Sequence, residues 1–299
     1  MPRIPLACLA FSACLLPPGA GADVLYGVSL RAYADAAGGN LYTLDPATAE
    51  AKIVGRLRLG GTQPISLRGI AVHPKTHVFY GITAGLNASV PSALVTIDPA
   101  TGNATLVGAL GRSGSDINFD GKGQLYIWLT DSNELGVVDL GTGAARPIAA
   151  DATKLSESVG GGFGMRHDGV AFVSATSANG TLDFIDTRTG GATVGPRLVG
   201  APFVSGFTAM DFASDGRLFA VNSNMGAPAS TVLTVIDPAS GSVHAVGALP
   251  ADTTALAFAP DNDEVTVSVS LRKATLETIA VLLLLGIAAA VALRLRRAR

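Results

Sequence analysis

The stretch DINFDGKG sets Asp116, Asn118 and Asp120 at alternate positions ahead of Gly121. Calcium loops begin this way, because they draw oxygen ligands from every second residue around a sharp glycine turn. The glutamate that would close an EF-hand falls at Ile127. An EF-hand as such is therefore absent, and the stretch also reads as a plain strand, an Asp-Gly turn and a second strand. Asp116, Asn118 and Asp120 stand as metal candidates, with calcium the fitting ion.

Other chemistries find little support. His73, His77, His167 and His244 are scattered. Only the first two are close, in HPKTH, where two imidazoles could share a metal or simply flank a solvated turn. There is no C-x-x-C-H for covalent haem, no G-x-S-x-G nucleophile elbow and no phosphate-cradling glycine loop. A single tryptophan, Trp128, argues against a cofactor stacked between indoles.

The elements that must position these residues are written in a repeat. LYTLDPATAEAKIVGRL, LVTIDPATGNATLVGAL, LGVVDLGTGAARPIAA, LDFIDTRTGGATVGPRL and LTVIDPASGSVHAVGAL are variants of one phrase. In IDPATG, Asp98 can accept turn N–H groups, Pro99 pre-sets φ, and Gly102 supplies the left-handed residue that closes the turn. Alternating apolar and polar residues on both sides make this a hairpin. The turn aspartates Asp45, Asp98, Asp139, Asp186 and Asp237 are about 41 to 53 residues apart, a propeller-blade period.

A second hairpin lies between successive copies, as in RGIAVHPKTHVFYGIT, SDINFDGKGQLYIWLT and FTAMDFASDGRLFAVN. Two hairpins per period make four strands, one blade. The sequence predicts an all-β fold, a β-propeller of about five four-stranded blades, with six as the alternative, plus one C-terminal transmembrane helix. VLYGVSL, after residue 23, matches the second strand of the unit, and TALAFAP supplies a first strand at the far end. The ring is expected to close by pairing these two, which removes an open edge.

In such a ring the first strand of each blade lines the axis. Aligned on Val72, Phe119, Phe212 and Phe258, the preceding residues are Ala71, Asn118, Asp211 and Ala257. Four places before the anchors come Arg68, Ser115, Thr208 and Thr254. Arg68, Asn118 and Asp211 are the candidates for a ligand-binding channel, against a channel filled by small polar side chains for structural reasons alone.

The ends carry addressing signals. Arg3, the apolar IPLACLAFSACLL and AGA at residues 20–22 form a secretory signal peptide over residues 1–22. FSAC at Cys14 is a weaker match to a lipoprotein cleavage box. Cleavage before Asp23 removes Cys8 and Cys14, the only cysteines, so no disulfide is expected. Residues 23–271 form the propeller ectodomain and 272–275 a short linker. LETIAVLLLLGIAAAVALRL, residues 276–295, spans roughly 30 Å as a helix, enough for a bilayer. The basic tail at 296–299, with Arg294 before it, favours retention in the cytoplasm. SLRKATLET, just before the span, matches no sorting-protease motif. Residues 23–275, the ectodomain with its linker, carry a net charge of about −6, which disfavours nucleic acid as a partner.

LYxIDPxTGxxxxVG followed by GIAFxP…LYG resembles the secreted bacterial propeller repeats of the YncE-like, NHL-like and quinoprotein-like families, over roughly residues 23–270. The resemblance implies a blade architecture rather than a reaction, since such families share a fold and not an activity. The expected function is a binding or scaffold module on a membrane anchor. Its body lies in the periplasm or on the cell surface, and a protein or polysaccharide partner meets its loops, LRAYADAAGGN and TAGLNASVPSA among them. No cofactor is called for beyond the calcium candidate. The alternative is a metal-dependent hydrolase or lactonase with a divalent ion in the central channel, held by Asn118 and Asp211.

Overall fold

The computed structural model describes residues 23–30, 38–85, 90–148, 161–174, 180–203, 206–224 and 230–259. The expected signal peptide, the strand-like EVTVSVS, the linker, the 276–295 span and the basic tail lie outside the described residues. Every regular element among the described residues is a strand, and none of them forms a helix long and apolar enough to cross a membrane.

Five four-stranded units make the wheel. The first blade joins β1 (Val24–Ser29), β2 (Asn40–Leu44) and β3 (Ala51–Arg56). Two short strands, β4 (Arg58–Leu59) and β5 (Gln63–Pro64), lead into the second blade of β6 (Leu67–Val72), β7 (Phe79–Thr83), β8 (Ala93–Ile97) and β9 (Asn103–Ala109). The third holds β10 (Gly114–Phe119), β11 (Leu125–Leu129), β12 (Glu134–Val138) and β13 (Ala145–Pro147). The fourth holds β14 (Phe163–Met165), β15 (Ala171–Ser174), β16 (Leu182–Ile185) and β17 (Ala192–Thr193). The fifth holds β18 (Phe207–Phe212), β19 (Leu218–Asn224), β20 (Ser230–Ile236) and β21 (Val243–Ala248). The last strand, β22 (Thr253–Ala259), returns to the first blade as its innermost strand, so that sheet runs β22-β1-β2-β3.

The closure is the expected one, with five blades. β22 pairs antiparallel with β1, Leu25 opposite Phe258 and Gly27 opposite Leu256. The inner strands β22, β6, β10, β14 and β18 lie side by side around the axis, each beside the next.

Apolar residues of each strand fill the gaps between neighbouring blades. Leu25, Leu41, Ile70, Phe79, Phe219 and Leu256 belong to one buried cluster joining the first, second and fifth blades. Three further clusters fill the remaining gaps. A fully buried side chain of this kind contributes about 1.5–3 kcal/mol, so the wheel is held by contacts between blades as much as by its sheets.

The repeated phrase has a physical reason at both of its ends. At the turn, Asp98 Oδ1 accepts the Ala100 N–H at 2.9 Å and Oδ2 the Thr101 hydroxyl at 2.7 Å, and Gly102 has φ of +80°. Asp45, Asp139, Asp186 and Asp237 accept equivalent N–H groups. Further on, the glycine of VG sits where the next blade's turn comes closest. A Cβ on Gly55, Gly108 or Gly247 would collide with the carbonyl oxygen of Thr101, Thr142 or Thr48 respectively. Backbone bonds seal the rim there, Ala145 N–H to Leu110 O at 2.9 Å and Val243 N–H to Val199 O at 2.8 Å among them.

Candidate functional site

The inner strands run nearly unbroken from a bulge at one end to an aromatic or apolar anchor at the other. Register shifts fall at Arg68 in β6, between Gly114 and Ile117 in β10, at Thr208 in β18 and opposite Thr254 in β22. Bulge residues reach the neighbouring blade: Ser115 Oγ donates to Gly161 O at 3.2 Å, and Thr254 Oγ1 to Leu67 O at 3.1 Å. The extra residue shifts the alternation, so the bulge positions and those next to the anchors are not one continuous lumen-facing row.

Three residues before the anchors, β6, β18 and β22 carry Gly69, Ala209 and Ala255, and Gly162 directly precedes β14, whereas β10 carries Asp116. Asp116 is 1% exposed. Its Oδ2 accepts the N–H groups of Phe163 and Met210, both at 3.2 Å, and its Oδ1 accepts that of Ile117 at 3.0 Å. Two residues on, Asn118 Nδ2 donates to the carbonyls of the same pair, Phe163 at 2.7 Å and Met210 at 3.1 Å. The third blade thereby bonds the fourth and, across the axis, the fifth. Burial pushes the Asp116 carboxyl well above the usual carboxylate range; the three N–H groups oppose that shift, and the Asp211 charge adds to it.

Asp120, the third member of the calcium candidate, sits in the following turn. Its Oδ1 accepts the N–H groups of Lys122 at 3.0 Å and Gln124 at 2.9 Å, the part an aspartate plays in an ordinary Asp-Gly turn. Among the described residues, no three His, Cys, Asp or Glu side chains are placed to hold a metal together.

Above Asp116, where the inner strands end, the axis opens into a cavity of about 290 Å³. Asn118 and Asp211 both line it, so the structure brings these two sequence candidates together. Arg68 is on the β6 bulge, at the other end of its strand from Val72, and does not line this cavity. Phe119, Phe212 and Phe258 supply apolar walls, and Asp23, His77, His167 and Ser214 complete the rim. Sequence reasoning passed over Asp23, set His167 aside as scattered, and read His77 only as a possible partner of His73 or a solvated turn residue. Their shared signal is positional: both histidines lie in turns that follow inner strands, and Asp23 directly precedes the strand that pairs with β22.

Asp211 is bonded on both oxygens. Oδ2 accepts the Phe258 N–H at 2.7 Å and Oδ1 the Phe212 N–H at 2.9 Å, so this side chain also links the fifth blade to the first. Desolvation pushes its carboxyl up to about 7, those two N–H groups hold it down in part, and the Asp23 charge raises it further. Asp23 Oδ2 accepts the Ser214 N–H at 2.6 Å. Among the described residues, no lysine or arginine lines the cavity. His73, the partner of His77 in HPKTH, points elsewhere: its Nδ1 accepts the Lys75 and Thr76 N–H groups, and its ring packs on Phe119 with centroids 4.9 Å apart. The arrangement is a half-apolar, anionic cup with one carboxyl that titrates near neutrality.

No protein-family model matches the chain, and no curated protein is similar to it in sequence. Among solved structures, a chain in the crystal structure of a nidogen/laminin complex has a similar fold. The alignment covers 80% of this chain and 98% of that one, with a TM-score of 0.51 and 11% identity. At that identity the likeness concerns the propeller fold alone.

Proposed function

We propose that this β-propeller is a binding or scaffold module, held at the outer face of a cell membrane by the span expected at 276–295. The carrying observation is the use made of the axial polar side chains. Asp116 and Asn118 are committed to the backbone of neighbouring blades, which makes the wheel a stiff platform, and surface loops on stiff platforms supply contacts. The strand order sets out two faces. The axial cavity and the Asp-containing outer turns share one face, where β22 ends. The loops after β1 and β7, flanked by Leu30 and Gly39 and by Ala84 and Val90, share the other.

Cross-linking of the full chain in intact cells, followed by membrane isolation and affinity capture, tests this. The expected result is a membrane-bound chain carrying a stoichiometric partner, with the propeller cleaved by externally added protease. A chain recovered in the soluble fraction, or pure protein that turns over a substrate with no partner, would overturn it.

A further inference from the structure

The geometry points to the axial cavity as a binding site for a small organic ammonium ion with an apolar flank. This deepens the binding-module reading and rests on it, but concerns the face opposite the β1 and β7 loops, so either can fail alone. Two carboxylates, Asp23 and Asp211, line the cavity, and among the described residues no lysine or arginine is in its walls. A desolvated carboxylate is stabilised by a cation with N–H donors to spare. Asp211 already accepts one backbone N–H on each oxygen, which fixes its orientation and leaves further lone-pair capacity for a donor inside the cavity.

The remaining walls select what surrounds that charge. Phe119, Phe212 and Phe258 are held from behind by other rings: Phe119 by Tyr80, Phe212 by Phe172, and Phe258 by Phe219, with centroids 5.6, 5.3 and 5.2 Å apart. Fixed aromatic rings beside carboxylates suit an ammonium bound to a small hydrocarbon, through apolar contact and cation–π attraction. A metal ion would find too few ligands, and an anion would meet two carboxylates. The face as a whole has the same sign. Each outer turn opens with an aspartate; Arg166 pairs with Asp168, Arg188 with Asp186 and Arg217 with Asp215, and Lys75 and Lys122, in the inner turns, leave the acidic residues of the described turns in excess.

The titratable groups facing the cavity are Asp23, Asp211, His77 and His167. Rising pH removes the Asp211 proton near 7, and the carboxylate so formed attracts a cation. Binding should strengthen between pH 6 and pH 8.

The test is calorimetric titration of the full chain in lipid nanodiscs with benzylamine, against benzyl alcohol as the neutral isostere. At pH 8 benzylamine is expected to bind at least roughly tenfold more tightly than benzyl alcohol, and at least roughly threefold more tightly than at pH 6, as a charge-assisted hydrogen bond implies. Asp211→Asn should abolish the preference. Asp23→Asn, which keeps a side-chain oxygen to accept the Ser214 N–H, should weaken binding while lowering the melting temperature far less than Asp211→Asn. Discs containing phosphatidylethanolamine distinguish the ligand's source: competition assigns the ammonium to a lipid headgroup, and unchanged affinity assigns it to a dissolved amine. Equal binding of alcohol and amine, or no benzylamine binding at millimolar concentration, would overturn the proposal.

Discussion

Asp116 and Asn118, two residues apart on β10, divide the backbone groups of the same two residues between them. The carboxylate takes the N–H groups of Phe163 and Met210, and the amide donates to their carbonyls. Four polar backbone groups at the axis are satisfied by two side chains from one blade. With glycine or alanine in place of Asp116, as at the equivalent positions of the other blades, the two N–H groups would lose this acceptor. Buried groups of this kind cost about 1–3 kcal/mol each when unmade.

Asp116→Ala is therefore expected to destabilise the propeller by about 3 kcal/mol or more, because three buried N–H groups lose their acceptor. Asn118→Ala should cost less, about 2 kcal/mol, since carbonyls tolerate solitude better than N–H groups. Asn118→Asp should be worse than Asn118→Ala, as it turns a carboxylate toward two carbonyl oxygens. Urea denaturation ranks the three. Equal midpoints for all of them and the parent would show that the axial bonds carry no stability.

Leu256→Ala, on the closing strand, should destabilise as strongly as Leu41→Ala within the first blade, about 2–5 kcal/mol each. Both side chains are fully buried in the same cluster, and β22 carries the chain back from the fifth blade to become the innermost strand of the first. Unfolding should remain a single cooperative transition. A separate early transition in Leu256→Ala, with the rest of the wheel unaffected, would mean that β22 merely decorates a self-sufficient body.

Gly108→Ala should cost about 2 kcal/mol or more, because the new methyl has a backbone oxygen, Thr142 O, in its path. Gly85→Ala meets only the Ser92 hydroxyl, at 3.3 Å, and should change stability by less than about 1 kcal/mol. Thermal melts of the pair isolate the steric demand of the VG glycine. Equal losses would assign the effect to glycine's chain flexibility instead.

The same glycine shows why the fold was legible and the cavity was not. The VG and DPATG elements recur because every blade needs a turn of one shape and a neighbour of one height, so a demand made five times stands out in a single sequence. Blade count, closure by TALAFAP and the turn aspartates followed from it. Asp116 broke the pattern in one blade only, and that irregularity resembled a metal loop. Nothing local tells a carboxylate facing a calcium ion from one facing two N–H groups supplied from 47 and 94 residues away. Arg68, four places before its anchor, and Asp211, directly before its own, were both assigned to the channel, yet a bulge separates those two levels of the inner strand. His77, His167 and Asp23 converge only once the ring has closed.

The pH dependence of stability has an unusual sign for a protein with buried carboxylates. Asp211 is pushed from the ordinary 3.8 up to about 7 by desolvation, and Asp116 is pushed the same way. Between those values the folded protein holds the Asp211 proton and the unfolded chain has released it, so unfolding gives up a proton and stability falls as pH rises through the window. The exposed turn aspartates Asp139, Asp186 and Asp237 are held below 3.8 by turn hydrogen bonds, and their contribution is lost only below that value. The melting temperature should accordingly be higher at pH 5 than at pH 8. Asp211→Asn, which keeps an oxygen to accept one of the two N–H groups, should remove Asp211's share of that decline, leaving the share of Asp116, while lowering stability at pH 5. Melts of both proteins at half-unit intervals check this. A parent protein whose melting temperature rises from pH 5 to pH 8, with the variant parallel to it, would place Asp211 in an environment far more hydrated than the axial cavity provides.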